Sequence, residues 1–154
     1  MDYAIEIRNL SKSFKNFKLK NISFSVPKGS IMGFIGENGA GKTTTIKLML
    51  IQLKAETGEI GILGLDHRKD EKKIKSDIGV VLDECYFHEN IKPKHISRIM
   101  ARIYKNWDES LFYSYIAQFR LPGNKTTKEF SRGMKLKLSI ATALSHHPKL
   151  LILD

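Results

Sequence analysis

The stretch GENGAGKTT, Gly36 to Thr44, concentrates residue types that suit one kind of chemistry: holding a chain of phosphates. It fits the pattern G-x-x-x-x-G-K-[ST]. Gly36, Gly39 and Gly41 carry no Cβ, so the backbone can turn tightly and approach a ligand closely. With Glu37, Asn38 and Ala40 between them, successive N–H groups can point inward and cradle phosphate oxygens. A helix starting here would add the positive end of its dipole. Lys42 supplies a mobile charge for the outer phosphates. The Thr43 hydroxyl is placed to ligate Mg²⁺, and Thr44 to reach a further phosphate oxygen. The pattern predicts binding of a nucleoside triphosphate, but it does not by itself choose among the many proteins that bind one.

The flanking sequence predicts the elements that would hold such a loop. SIMGFIG, just before it, reads as a short strand apolar on both faces, of the kind found in the middle of a covered sheet. After it, Ile46, Met49, Leu50 and Leu53 recur at i, i+3, i+4 and i+7, one stripe of a helix. Upstream, YAIEIR alternates as a half-buried strand does, and FKLKNISFSV continues the theme. TGEIGILGLD reads as turn and strand, and Ile78 to Leu82 as a second buried strand. From Pro93 the pattern is helical. Ile96, Ile99, Met100, Ile103, Tyr104 and Trp107 form one stripe, and Leu111, Phe112, Tyr115, Ile116 and Phe119 another, capped by Asp108. RLPGNKTTKEF reads as loop. Ser131 caps a third helix, which Pro148 closes off before a last buried strand, KLLILD. The aromatic and methionine stripes read as core packing. Helical crossovers between buried strands predict an α/β fold with a parallel sheet.

Composition sets the bounds. The chain has 154 residues, 42% hydrophobic and 27% charged, enough apolar material for a core and enough charge for a soluble surface. No apolar run is long enough to cross a bilayer, and the N-terminus lacks the pattern of a secretory signal. A single cysteine, Cys85, excludes an internal disulfide and suits a reducing compartment. Against 16 acidic residues stand 26 Lys and Arg, a net charge of +10. The lysines are scattered and interrupted by acids, which favours a solvated surface over a nucleic-acid interface.

Several separate stretches together resemble the ATP-binding subunit of ABC transporters: SKSFKNFKLKNISFSVPKGSIMGFIGENGAGKTTTIKLM, then TGEIGILGLD, then FSRGMKLKLSIATALSHHPKLLILD. The resemblance spans nearly the whole chain. It implies a P-loop NTPase fold of the ABC type, with an N-terminal antiparallel β portion (1–30 and 57–66) and a P-loop core (31–56 and 74–83). A helical subdomain with the signature helix (88–146) and a second nucleotide strand (149–154) would follow, the central sheet being incomplete. Phe14 matches the aromatic that stacks on adenine; on its own it could equally be a core phenylalanine. Asp83 stands where the family usually has a glutamine that touches Mg²⁺ or the attacking water, and an aspartate oxygen can also bind Mg²⁺; a simple turn acid is the other reading. Ser131, Arg132, Gly133 and Met134 match the family signature, which commonly reads S-G-G-Q after its leucine. The variant SRGM is similar to that of bacterial exporter subunits linked to antibiotic resistance.

By the same resemblance, Asp154 holds Mg²⁺ through water, and the catalytic base is the acid that would follow it. The parent protein would then be a cytoplasmic ATPase, peripheral on the inner face of the membrane. Its cofactors would be ATP and Mg²⁺. Its partners would be a transmembrane transporter subunit and a second copy arranged head to tail. Without that base, residues 1–154 are expected to contact nucleotide but not turn it over, since general-base assistance is worth about 10²–10⁴ in rate. An unpaired sheet edge would also invite pairing between chains. Two alternatives are an ABC-type ATPase acting on nucleic acid or ribosomes and a non-catalytic nucleotide-sensing module.

Overall fold

A computed structural model describes residues 2–82 and 86–154. In it the alternation that begins at Tyr3 continues much further than YAIEIR, giving β1 (Tyr3–Phe14), which pairs antiparallel with β2 (Phe17–Pro27) through the two-residue turn Lys15–Asn16. The extension is possible because irregularities absorb residues that break the alternation. Two lie beside asparagines in left-handed backbone, Asn9 (φ 51°) and Asn21 (φ 49°), a residue type that tolerates this region. Serines from the paired strand hold both: the Asn9 N–H donates to Ser23 Oγ (2.8 Å) and the Asn21 N–H to Ser11 Oγ (2.9 Å).

Helix α1 (Lys42–Met49) comes next, then β3 (Thr57–Ile62) and β4 (Leu65–Asp66), completing an antiparallel sheet of order β2-β1-β3-β4. The register sets Ile5 beside Ile62 and Ile7 beside Ile60, and these four with Leu10, Leu19 and Val26 are buried. The chain divides into two units, Met1–Lys75 and Ser76–Asp154, and the division falls within α2 (Glu71–Asp77).

The first unit departs from expectation in two places. Residues 31–37 form no strand; they are exposed throughout, Ile31 and Ile35 almost completely. A strand has no internal hydrogen bonds and exists by pairing, and among the described residues no ladder includes this run. Helix α1 also stops at Met49, short of Leu53. The Gln52 N–H donates to the Lys47 carbonyl (3.0 Å) and the Ile51 N–H to Leu48 (3.2 Å), and Ile51 is left-handed at φ 61°. This is a Schellman-type ending, with a β-branched residue where glycine is usual.

The second unit contains β5 (Ile78–Val81), α3 (Pro93–Ile103), α4 (Glu109–Gln118), a single 3₁₀ turn at Thr127–Glu129 within the expected loop, α5 (Arg132–Leu144) and β6 (Leu150–Leu153). β5 and β6 run parallel, Ile78 beside Leu150 through Val81 beside Leu153, as the crossover pattern requires. Ile96, Phe112, Ile116, Leu121, Phe130, Leu138 and Ala141 make the helical core, with Met100, Trp107 and Met134 packed on it. The stripe on α3 is narrower than expected: Ile99 and Ile103 face outward, 46% and 61% exposed. β6 likewise buries Ile152 but leaves Leu151 and Leu153 exposed, so it is covered on one face only.

His146 locks this unit. It is 2% exposed, stacks on Tyr104 with ring centroids 3.9 Å apart, and its Nε2–H donates to the Ile78 carbonyl (3.0 Å). Its Nδ1 has no hydrogen-bond partner, as a neutral ring with its single proton on Nε2 allows. Burial pushes the imidazole pKa down, against the opposing pull of the Ile78 and Thr142 carbonyls. As pH falls below about 6.5 the unfolded chain therefore takes up this proton first, and stability is lost until the lowered folded pKa is passed. Urea midpoints should fall between pH 7 and 5 in the native sequence and stay flatter in His146→Gln. Carboxylates such as Asp108, held low by the Leu111 N–H and His147, act only in a more acid range.

Candidate functional site

In the first unit the glycine-rich segment forms an open loop running into α1. The Ala40 N–H donates to the Glu37 carbonyl (3.1 Å), closing a turn over Asn38 and Gly39. Gly36 to Ala40 are exposed, Gly41 is buried, and Lys42 and Thr44 are half-buried, with Thr43 exposed between them. Two glycines are left-handed for different reasons. A Cβ at Gly39 (φ 86°) would meet nothing within 4 Å. A Cβ at Gly41 (φ 100°) would lie 2.8 Å from Leu19 Cδ1 and 2.9 Å from Phe17 Cζ. The loop thus has one side open to solvent and one side packed on the β1–β2 hairpin.

Gly41 is also the N-cap of α1. Its carbonyl accepts the Thr45 N–H (2.8 Å) and the Thr45 hydroxyl (2.9 Å), which fixes the first turn. The Lys42 ammonium folds back over the loop and donates to the carbonyls of Gly36 (2.5 Å) and Glu37 (2.8 Å). These bonds hold the loop's two ends together around the positive pole of the helix. An exposed glycine-rich loop, a helix N-terminus and an ammonium together fit a polyphosphate anion.

Phe14 sits at the hairpin tip, 42% exposed, so it is not a core residue. Its ring is 6.2 Å from that of Phe17, and the Lys12 ammonium lies 5.8 Å above it. An exposed flat ring beside a cation suits stacking on a base. A cleft of about 510 Å³ also opens against the sheet of this unit, lined in part by Glu6, Arg8, Glu59, Asp66 and Arg68. Its charges are of both signs, and Arg8 already meets Glu6 at 2.6 Å.

The second unit holds the other predicted residues. Ser131 caps α5, its Oγ accepting the Met134 N–H (3.2 Å). Ser131, Arg132 and Gly133 are exposed and Met134 half-buried, so the helix N-terminus faces outward. Just before it, Phe130 is buried and Thr126 and Glu129 cap one another (Thr126 N–H to Glu129 Oε2, 2.7 Å). Asp154 is exposed directly after β6, its N–H donating to the Val81 carbonyl (3.0 Å). Asp83 and Cys85 lie outside the described residues.

The structure places Gly36 to Thr44 and Phe14 in the first unit, with Phe17 beside both Phe14 and Gly41, and Ser131 to Met134 and Asp154 in the second. Sequence reasoning assigned Phe17 only to a strand. Its spacing of two from Leu19 was the available signal that both would lie on one face of the hairpin.

Comparison with known proteins adds a further finding. The family model described as "ABC transporter" matches residues 19–154. The chain is 36% identical over 159 residues to the bacitracin transport ATP-binding protein BcrA of Bacillus licheniformis, covering 100% of this chain and 51% of that protein. It is 33% identical over 157 residues to the protein of the same name from Enterococcus faecalis, again covering 100% of this chain and 51% of that protein. A solved structure of an ATP-binding subunit of an ABC transporter superposes with a TM-score of 0.87 at 26% identity, covering 98% of this chain and 65% of that one. The chain thus spans about half the length of the curated relatives it matches.

Loss of the α5 cap should be measurable independently of any ligand. Ser131→Ala is expected to lower stability by about 1 kcal/mol, read as a fall in the urea midpoint, whereas Ser131→Asp should retain most of it.

Proposed function

The chain belongs to the ABC transporter family, and from that footing we propose that it is the nucleotide-binding part of an ATPase that drives a solute across a membrane. The observation that carries the reading is the open glycine-rich loop closed by the Lys42 ammonium at the head of α1. Bound ATP supplies a phosphoanhydride bond whose cleavage releases the free energy for transport. The chain's own residues bind and orient it. Phe14 stacks on the base. The loop amides and the dipole of α1 hold the β- and γ-phosphates, and Lys42 leaves its two carbonyls to meet their charge. Thr43, Asp83 and Asp154 would be the residues to hold Mg²⁺, which would neutralise phosphate charge when bound. We assign no catalytic base within residues 1–154.

Ser131 to Met134 have a separate role. Their exposed helix N-terminus meets the γ-phosphate bound to a second copy of the subunit, with the Arg132 charge adding to the attraction. Nucleotide then lies between two copies, and closure of the pair is transmitted to a membrane-spanning partner. Among the described residues no helix is long and apolar enough to cross a membrane; in this reading the spanning element is a separate subunit and the chain lies on the inner membrane face. Two relatives named for bacitracin transport support bacitracin or a similar compound as the solute.

Titration of the full chain with ATP and Mg²⁺ by calorimetry tests the central point. Lys42→Ala removes a charge-assisted contact worth about 1.5–3 kcal/mol and is expected to weaken binding roughly ten- to hundredfold. Unchanged affinity in that variant, or no magnesium-dependent binding by the native chain, would overturn the assignment.

A further inference from the structure

Phe14 and Phe17 face one another across the hairpin turn, directly paired in the β1–β2 register. They differ in burial: Phe14 stands in solvent, while Phe17 is half-buried. Phe17 is packed on the phosphate loop. The 2.9 Å between Phe17 Cζ and the place a Gly41 Cβ would occupy is closer than real Cβ contacts come, so the packing depends on the absent side chain. Leu19, two residues on and buried, also reaches this space, its Cδ1 2.8 Å from the same place. Gly39 is left-handed too, yet has nothing beside it. The loop is therefore braced at one glycine and free at the other.

The braced glycine is where loop becomes helix. Gly41 caps α1 and accepts both Thr45 bonds, and Lys42 follows it directly. Close-packed contacts transmit displacement instead of absorbing it. A shift of the Phe17 ring must then move Gly41, and with it the first amides of the helix and the root of the lysine.

We propose that Phe17 is a positioning residue for the polyphosphate: by filling the space of the missing Gly41 side chain, it couples the hairpin carrying Phe14 to the phosphate loop. The proposal rests on the reading of this loop as an ATP site. It departs from a simpler role in which Phe17 only props the Phe14 ring. The two roles separate with a ligand that has phosphates and no base.

The test is calorimetric titration of the full chain with ATP and with inorganic tripolyphosphate, both with Mg²⁺. Phe17→Ala is expected to weaken both ligands by a similar factor, about tenfold, through lost preorganisation of the loop. Phe14→Ala should weaken ATP alone. Should Phe17→Ala fail to give a native circular dichroism spectrum, Phe17→Leu, which keeps apolar bulk but not the reach to Gly41, should show the same paired loss at smaller amplitude. Weakening of ATP with tripolyphosphate unchanged, or of neither ligand, overturns the coupling. Failure of the underlying ATP reading has a different signature: the native chain binds neither ligand, and Lys42→Ala changes nothing.

Discussion

The glycine-rich loop at the head of α1 must hold its shape through its own contacts. The positive end of α1 and the Lys42 ammonium repel one another, and the one acidic residue in the loop is Glu37. The structure meets this constraint with neutral acceptors. Lys42 spends its donors on the carbonyls of Gly36 and Glu37, and Thr45 doubly occupies the carbonyl of Gly41. The remaining restraint is steric, the packing of Phe17 and Leu19 where Gly41 has no side chain. The hairpin, the turn and the first helix are all arranged around keeping this cationic bend in place.

The second unit solves a related problem by different means. Its outward-facing helix N-terminus is stabilised by its own cap, Ser131, and by the mutual caps of Thr126 and Glu129 just upstream. The far end of the same helix is fixed to β5 through His146 and the Ile78 carbonyl, and β5 in turn pairs with β6. The approach is close: a Cβ at Gly79 would stand 2.9 Å from the Ala143 carbonyl oxygen. Ser131 and Asp154 are therefore placed by one continuous scaffold of helix, buried imidazole and parallel strands.

What could be read from the sequence was what local chemistry decides. The glycine spacing of the loop and the caps at Asp108 and Ser131 follow from short-range rules, and the parallel sense of β5 and β6 follows from the helical crossover between them. The misreadings fall where partners decide. Ile31 to Ile35 have the composition of a central strand, but a strand is defined by its neighbours, and none pairs with it among the described residues. Ile99 and Ile103 continue the helical period of α3, yet periodicity gives only the spacing of a stripe and not the width of the surface that will cover it. Phe17 was visible as an apolar strand residue, but its contact with Gly41 joins residues distant in sequence, and no local pattern encodes it.

The left-handed Ile51 has a consequence for how the chain tolerates change. A helix that fades out would pass any lengthening of the next segment back toward its start. Here α1 is closed by its own carbonyls at Lys47 and Leu48, and the chain is fastened again at Glu56, whose N–H donates to the Ser11 carbonyl (3.0 Å). The Leu53 N–H also donates to the Lys47 carbonyl (3.3 Å), so residues 54–55 are the segment between two fixed posts, where an insertion disturbs neither. A tag or reporter placed there would leave the geometry at Gly41 untouched, at the cost of a β-branched residue kept in a backbone region it does not favour.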